Sequence, residues 1–218
     1  VLILFPDLFE VAQSHTGVKI LYSIFNRAGL GVDFGFAPAK DFIRIAKKDG
    51  TLRSAMQNKD FISFDIICVS FQYQLQYPAF LKILELSKIP LTSKERFDSN
   101  MPVIIAGGPV MCNPEPISDF IDAAFIGEFE PVSAQVITVF ENTKERKNII
   151  DELAKIQGFY VPSNHKDLNT SINPDGSVSK TVVERSILPD LNYDPDSLFD
   201  APVFAMRTVH DRFTIEIM

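Results

Sequence analysis

Along this chain, short unbroken apolar runs alternate with longer stretches in which apolar residues recur every three to four positions. "VLILFP" (1–6), "FDIICVSF" (64–71), "PVIIAGG" (102–108) and "DAAFIGE" (122–128) are runs of the first kind, and "GVDFGFAP" (31–38) is a shorter one. A strand covered on both faces loses the alternation of a half-exposed one, so these runs predict buried strands. Between them, Val18, Leu21, Tyr22 and Phe25 of "GVKILYSIFNRAGL" (17–30) fall at helical spacing, and Ala28-Gly29 ends the pattern as a C-cap does. "KDFIRIAKKDG" (40–50), "YPAFLKILELSKIP" (77–90), "PISDFI" (116–121), "EPVSAQVITVFENT" (130–143) and "KNIIDELAKI" (147–156) predict further helices. The alternation predicts an α/β fold of Rossmann-like (flavodoxin or B12-binding-like) type. It has a mostly parallel five-stranded sheet, helices on both faces, and runs 1–6, 64–71 and 102–108 at its centre.

The pattern changes after about residue 145, which marks 1–145 as the Rossmann-like domain. Residues 146–187 read as an appendage of one helix and a β-hairpin, because "GFYVPS" and "SVSKTVVERS" flank Asn173-Pro174-Asp175-Gly176, whose Asp-Gly pair favours a tight turn. Residues 188–218 begin with "LPDLNYDPDSLFDAP", a linker without helical or strand period, and finish in the strand-like "FTIEIM".

Composition narrows the function classes. No apolar run approaches the roughly 18 residues of a membrane span, and "VLILFP" lacks the basic flank and cleavage site of a signal peptide. Two cysteines, Cys68 and Cys112, are too few for a disulfide framework, which points to the cytoplasm. A net charge of −7 argues against nucleic acid, whose phosphates need clustered Lys and Arg. "KKDG" and "KERKN" read as solvated helix faces.

In open α/β sheets, ligands sit beyond the carboxyl ends of the strands, at the switch in strand order. Segments 6–17, 70–77, 106–109 and 127–131 fall there. Gly107 and Gly108, followed by Pro109, lack a Cβ, so backbone can approach a bulky ligand or adopt positive φ. A tight strand-to-helix turn explains the same glycines. The common nucleotide signatures are missing: there is no G-x-G-x-x-G after the first strand and no G-x-x-x-x-G-K-[ST]. Ser70-Phe71 stands where a phosphate-accepting receiver domain needs an aspartate, and no G-x-S-x-G elbow is present.

"FPDLFEVAQSHTGVKILY", "SFQYQLQYPAFLKIL", "VIIAGGPVMCNPEPISDFIDAAFIGEFEPV" and "VHDRFTIEIM" together resemble the N-terminal region of a family of radical S-adenosylmethionine proteins. Those proteins carry a domain similar to the cobalamin-binding fold ahead of a radical barrel. The resemblance implies a catalytic domain after Met218, opening on a C-x-x-x-C-x-x-C loop that holds a [4Fe–4S] cluster and S-adenosylmethionine. Cys68 and Cys112 cannot supply the three thiolates such a cluster needs, so this chain alone is expected to hold no cluster and have no activity. Its own barrel would be its partner.

The resemblance makes cobalamin the candidate cofactor of this domain. The strand-end residues are then its candidate site: Pro6, Ser14, His15, Gly17, Ser70, Phe71, Tyr73, Gly107, Gly108, Pro109, Gly127, Glu128 and Glu130. The sequence departs from the histidine-ligating motif D-x-H-x-x-G, since Gln13 precedes His15 by two and Val18 follows it by three. A bound corrinoid would therefore have no protein nitrogen as lower ligand. Plainer roles stand beside these: Ser14–His15 as a helix cap, Phe71, Tyr73 and Tyr77 as core, and Glu128 and Glu130 as acids at a helix start. His165 and His210 read as solvated. The functional alternative is a docking scaffold of the same fold with no cofactor.

Overall fold

The computed structural model describes residues 1–49, 51–97, 99–165, 171–172, 178–179, 183–190 and 202. Strands β1 (Leu2–Phe5), β2 (Asp33–Phe36), β3 (Ile66–Ser70), β4 (Val103–Gly107), β5 (Ala123–Phe125) and β6 (Phe159–Tyr160) form one sheet in the order β2-β1-β3-β4-β5-β6. The first five run parallel and β6 is antiparallel to β5. The sheet thus has six strands rather than five. The extra one comes from "GFYVPS", whose two paired residues are too few to show a period. As expected, β1, β3 and β4 are interior.

Both faces of the central strands are buried. Ile3, Phe5, Ile66, Val103 and Ile105 enter one core with helices α2 (Thr16–Arg27), α6 (Ser133–Asn142) and α7 (Arg146–Leu153). Leu2, Leu4, Ile67, Val69, Ile104 and Ala106 enter the other, under α4 (Gln76–Leu86) and the 3₁₀ turns at Pro109–Cys112 and Glu115–Phe120. Nearly every residue of β1, β3 and β4 is therefore buried, whichever face it points to, which is why these strands read as unbroken apolar runs. α7 and β6 pack on the first core through Ile149, Ile150, Leu153 and Phe159. Helices α1 (Phe9–Ala12), α3 (Lys40–Asp49), α5 (Ser93–Arg96) and α8 (Pro162–His165) are the other described helices. Ser171–Ile172 pairs antiparallel with Val178–Ser179, while the Asp-Gly pair between them in sequence lies outside the described residues. The "FTIEIM" segment and His210 lie outside the described residues.

At the amino ends of β4 and β5, the buried Asp122 carboxylate gathers two arginines. Its Oδ1 accepts from Ser93 Oγ at 2.6 Å and from Arg96 Nη2 at 3.3 Å and forms an ion pair with Arg146, and its Oδ2 accepts the Ile104 N–H at 2.7 Å. The Arg96 side chain is 0% exposed and Arg146 8%. Arg146 belongs to "KERKN", so that stretch is not a wholly solvated face. Burial lowers the Arg96 pKa, and Asp122 opposes that shift.

Candidate functional site

The order β2-β1-β3-β4-β5 reverses between β1 and β3, and in sheets of this order a ligand crevice forms there, beyond the carboxyl ends. Two loops meet at that point. After β1, buried Pro6 leads to Asp7, whose Oδ1 accepts the Leu8 N–H at 2.8 Å just ahead of α1. After β3, Ser70 is buried and its Oγ accepts from Gln72 Nε2 at 3.0 Å, while the Gln72 N–H donates to Gln76 Oε1 at 2.7 Å. The Tyr73 hydroxyl donates to the Asp7 carboxylate and ties the two loops across the switch point. That hydrogen bond is the main cause of the raised Tyr73 pKa.

His15 adjoins the loop after β3 through the Gln72 side chain. It holds the N-cap position of α2 but makes no side-chain cap bond, and its ring sits against Phe5 with centroids 5.2 Å apart. Its Nδ1 is buried with no hydrogen-bond partner. Burial lowers its pKa, partly offset by a hydrogen bond with the Gln72 side chain. Gly17 packs beneath the ring, since a Cβ there would stand 3.5 Å from His15 Nδ1.

Phe71 is fully buried, edge-to-face with Tyr77 at 5.1 Å and Phe80 at 5.3 Å; it is core and covers no ligand surface. Tyr73, by contrast, is 43% exposed.

The two glycines of "AGGP" differ. A Cβ on Gly107 would meet nothing within 4 Å. Gly108 has φ 103°, and a Cβ there would stand 2.1 Å from the Phe71 carbonyl oxygen. The space that glycine frees is taken by the protein's own backbone, and Pro109 then opens the 3₁₀ turn 109–112, whose Val110 and Met111 are buried. Further along, Glu115 of the Asn-Pro-Glu-Pro run is held by the Tyr160 hydroxyl of β6.

"GEFEP" also turns out to serve the chain itself. Gly127 (φ 118°) forms a parallel bridge with Ser186, and a Cβ there would stand 2.1 Å from the Ser186 carbonyl oxygen. Glu128 binds Arg185 at 3.0 Å and the Leu188 N–H, so it caps no helix. Glu130 lies in the 3₁₀ turn Glu130–Val132 ahead of α6, where the Ser133 hydroxyl donates to its carbonyl at 2.8 Å. Sequence reasoning missed Asp7, Gln72 and Gln76. "SFQYQLQ" carried a signal, because polar residues interleave with aromatics right at a strand end.

An apolar groove of about 510 Å³ opens at the β2 end of the same edge, lined by Leu8, Phe9, Phe36, Phe42, Ile45 and Leu52 among others. No group of three or more His, Cys, Asp or Glu residues among those described has metal-binding geometry. No helix among them is long and apolar enough to cross a membrane.

A mostly parallel sheet with this switch point defines the chain as a doubly wound, Rossmann-like α/β domain. The particular family follows from its sequence: residues 17–162 match the family model described as radical SAM proteins, N-terminal, and the chain belongs to that family. No curated protein and no solved structure matches it. The chain is thus an accessory N-terminal domain of radical SAM proteins.

Proposed function

We propose that this domain positions substrate for a radical S-adenosylmethionine catalytic domain in the same protein. In this reading the carboxyl edge of the sheet faces that domain. The switch point holds a polar group of the substrate, and the adjoining groove takes an apolar part. The observation that carries it is the convergence of Asp7, His15, Ser70, Gln72 and Tyr73 from two loops at the switch point. Few polar groups beside an apolar groove is the usual make-up of a small-molecule site. The cluster chemistry belongs to the catalytic domain, because three cysteine thiolates are needed and this chain has two cysteines. We place the protein in the cytoplasm, where both cysteines stay free.

Cobalamin is the second reading. Open space over Gly107 favours it, whereas the closed Gly108–Phe71 contact leaves no slot at that turn for a nucleotide tail. His15, with its ring against Phe5 and Gly17, is not set out as a lower axial ligand. Substrate positioning therefore ranks first.

Two titrations test the pair. Hydroxocobalamin at high micromolar concentration should leave the visible spectrum unchanged, and a saturable shift would put cobalamin first. A thermal-shift screen of small molecules with one polar end should find binders whose effect is lost in His15→Ala. Finding none would favour the docking scaffold.

A further inference from the structure

Beyond the switch point, the segment 183–188 returns to the sheet in a way that no ligand role explains. Its Ser186 N–H donates to the Ile126 carbonyl at 3.1 Å, and the Glu128 N–H donates to the Ser186 carbonyl at 3.0 Å. Gln157 Nε2 holds the Arg185 carbonyl at 3.2 Å. Glu128 then takes the Arg185 guanidinium on one oxygen and the Leu188 N–H on the other. Ser186 is buried at the contact. Only glycine fits opposite it, since any Cβ at Gly127 would collide with Ser186 backbone. The bridge is parallel, so the chain at 186–188 points the same way as β5, outward past the carboxyl edge. That edge carries exposed apolar side chains: Leu8 and Val11 from the start and body of α1, and Tyr73 and Leu75 from the loop after β3, the last 83% exposed. Ile187 of the returning segment is exposed as well.

We infer that Gly127 and Glu128 form a latch that holds the chain through Leu188 on the carboxyl side of the sheet, so that the catalytic domain of the same polypeptide docks on that side, on Leu8, Val11, Tyr73 and Leu75. Glu128 is a positioning residue: it touches the connecting chain, not a substrate. The occupant follows from the direction in which the chain leaves and from the apolar side chains that wait there. This inference rests on the proposed reading that the carboxyl edge faces a catalytic domain.

Hydrogen exchange on the full-length protein, compared with this chain, tests it. Amides 8–12 and 73–76 should exchange at least about tenfold more slowly in the full-length protein, while 63–65 at the opposite edge stay unchanged. In full-length Glu128→Ala, the Leu188 amide should exchange about tenfold faster, as expected on losing a charged acceptor. Protection of 8–12 and 73–76 should fall with it, and Glu128→Gln should do less. If protection persists in Glu128→Ala while Leu188 is released, the latch does not steer docking; this inference falls and the proposed function stands. Unchanged exchange at Leu188 in that variant overturns the latch in the same way. If 8–12 and 73–76 are no slower in the full-length protein, both fall.

Discussion

Replacing Asp122 by alanine should be the most damaging single change at the amino edge of the sheet. Two guanidiniums, 0% and 8% exposed, share this one carboxylate, so the cluster already carries a net positive charge. Arg96 spreads part of its charge over the Pro90 and Leu91 carbonyls, both at 2.7 Å, and the Phe120 carbonyl at 3.0 Å. Those dipoles do not replace an anion. Asp122→Ala leaves two buried cations facing each other, and removing one partner of a buried pair costs about 3–5 kcal/mol. It also strands the Ile104 N–H, a buried donor worth about 1–3 kcal/mol when unpaired. These losses overlap, so a total of about 4–6 kcal/mol is expected. For a domain of this size each kcal/mol moves Tm by about 2–4 °C, which gives a drop of roughly 10–20 °C. Arg146→Met takes the cluster from positive to neutral and should cost clearly less. Thermal and urea unfolding followed by circular dichroism would measure both. A Tm for Asp122→Ala within 3 °C of wild type, or below which Arg146→Met falls further, would refute this electrostatic reasoning.

Other outcomes follow from single contacts. Gly108→Val should destabilise by about 3 kcal/mol or more, because its Cβ collides with the Phe71 carbonyl at positive φ, whereas Gly107→Ala should cost under about 1 kcal/mol; urea midpoints distinguish them. Maleimide should label exposed Cys112 and spare Cys68 until the protein unfolds, since burial pushes the Cys68 thiol up to about 12; mass spectrometry of the labelled protein reads this out. Because burial lowers the His15 pKa in the fold, the unfolded chain takes up the proton first, so stability should decline as pH falls below about 6.5. The decline should be shallower in His15→Gln, measured as urea midpoints between pH 7 and 5.

The sheet was legible because its central strands are buried on both faces. Leu2 and Leu4 enter one core and Ile3 and Phe5 the other, so no polar residue interrupts the run. β6 was not legible, because Phe159-Tyr160 is too short to set a period and gains its place only by pairing with Ala124 and Phe125. The edge that carries the candidate site could be named from strand ends alone, yet the roles on it could not. Gly108 and Gly127 read as ligand-facing glycines, and both make room for backbone that is distant in sequence. Glu128 read as an acid at a helix start because its partners, Arg185 and Leu188, return from far along the chain. Arg146 looked solvated for the same reason: only the fold brings it to Asp122.

The orientation of the domain is tested most directly by a photo-cross-linking amino acid in the full-length protein, placed at Leu75 on the carboxyl edge or at Phe97, beyond α5 on the opposite side. Both side chains are exposed in this domain, so either reports whatever covers it. The probe at 75 should form an intrachain link to the catalytic domain, identified by mass spectrometry, and the probe at 97 should not. A link from 97 and none from 75 would mean that the catalytic domain meets the other edge, and would contradict the proposed positioning of substrate at the switch point.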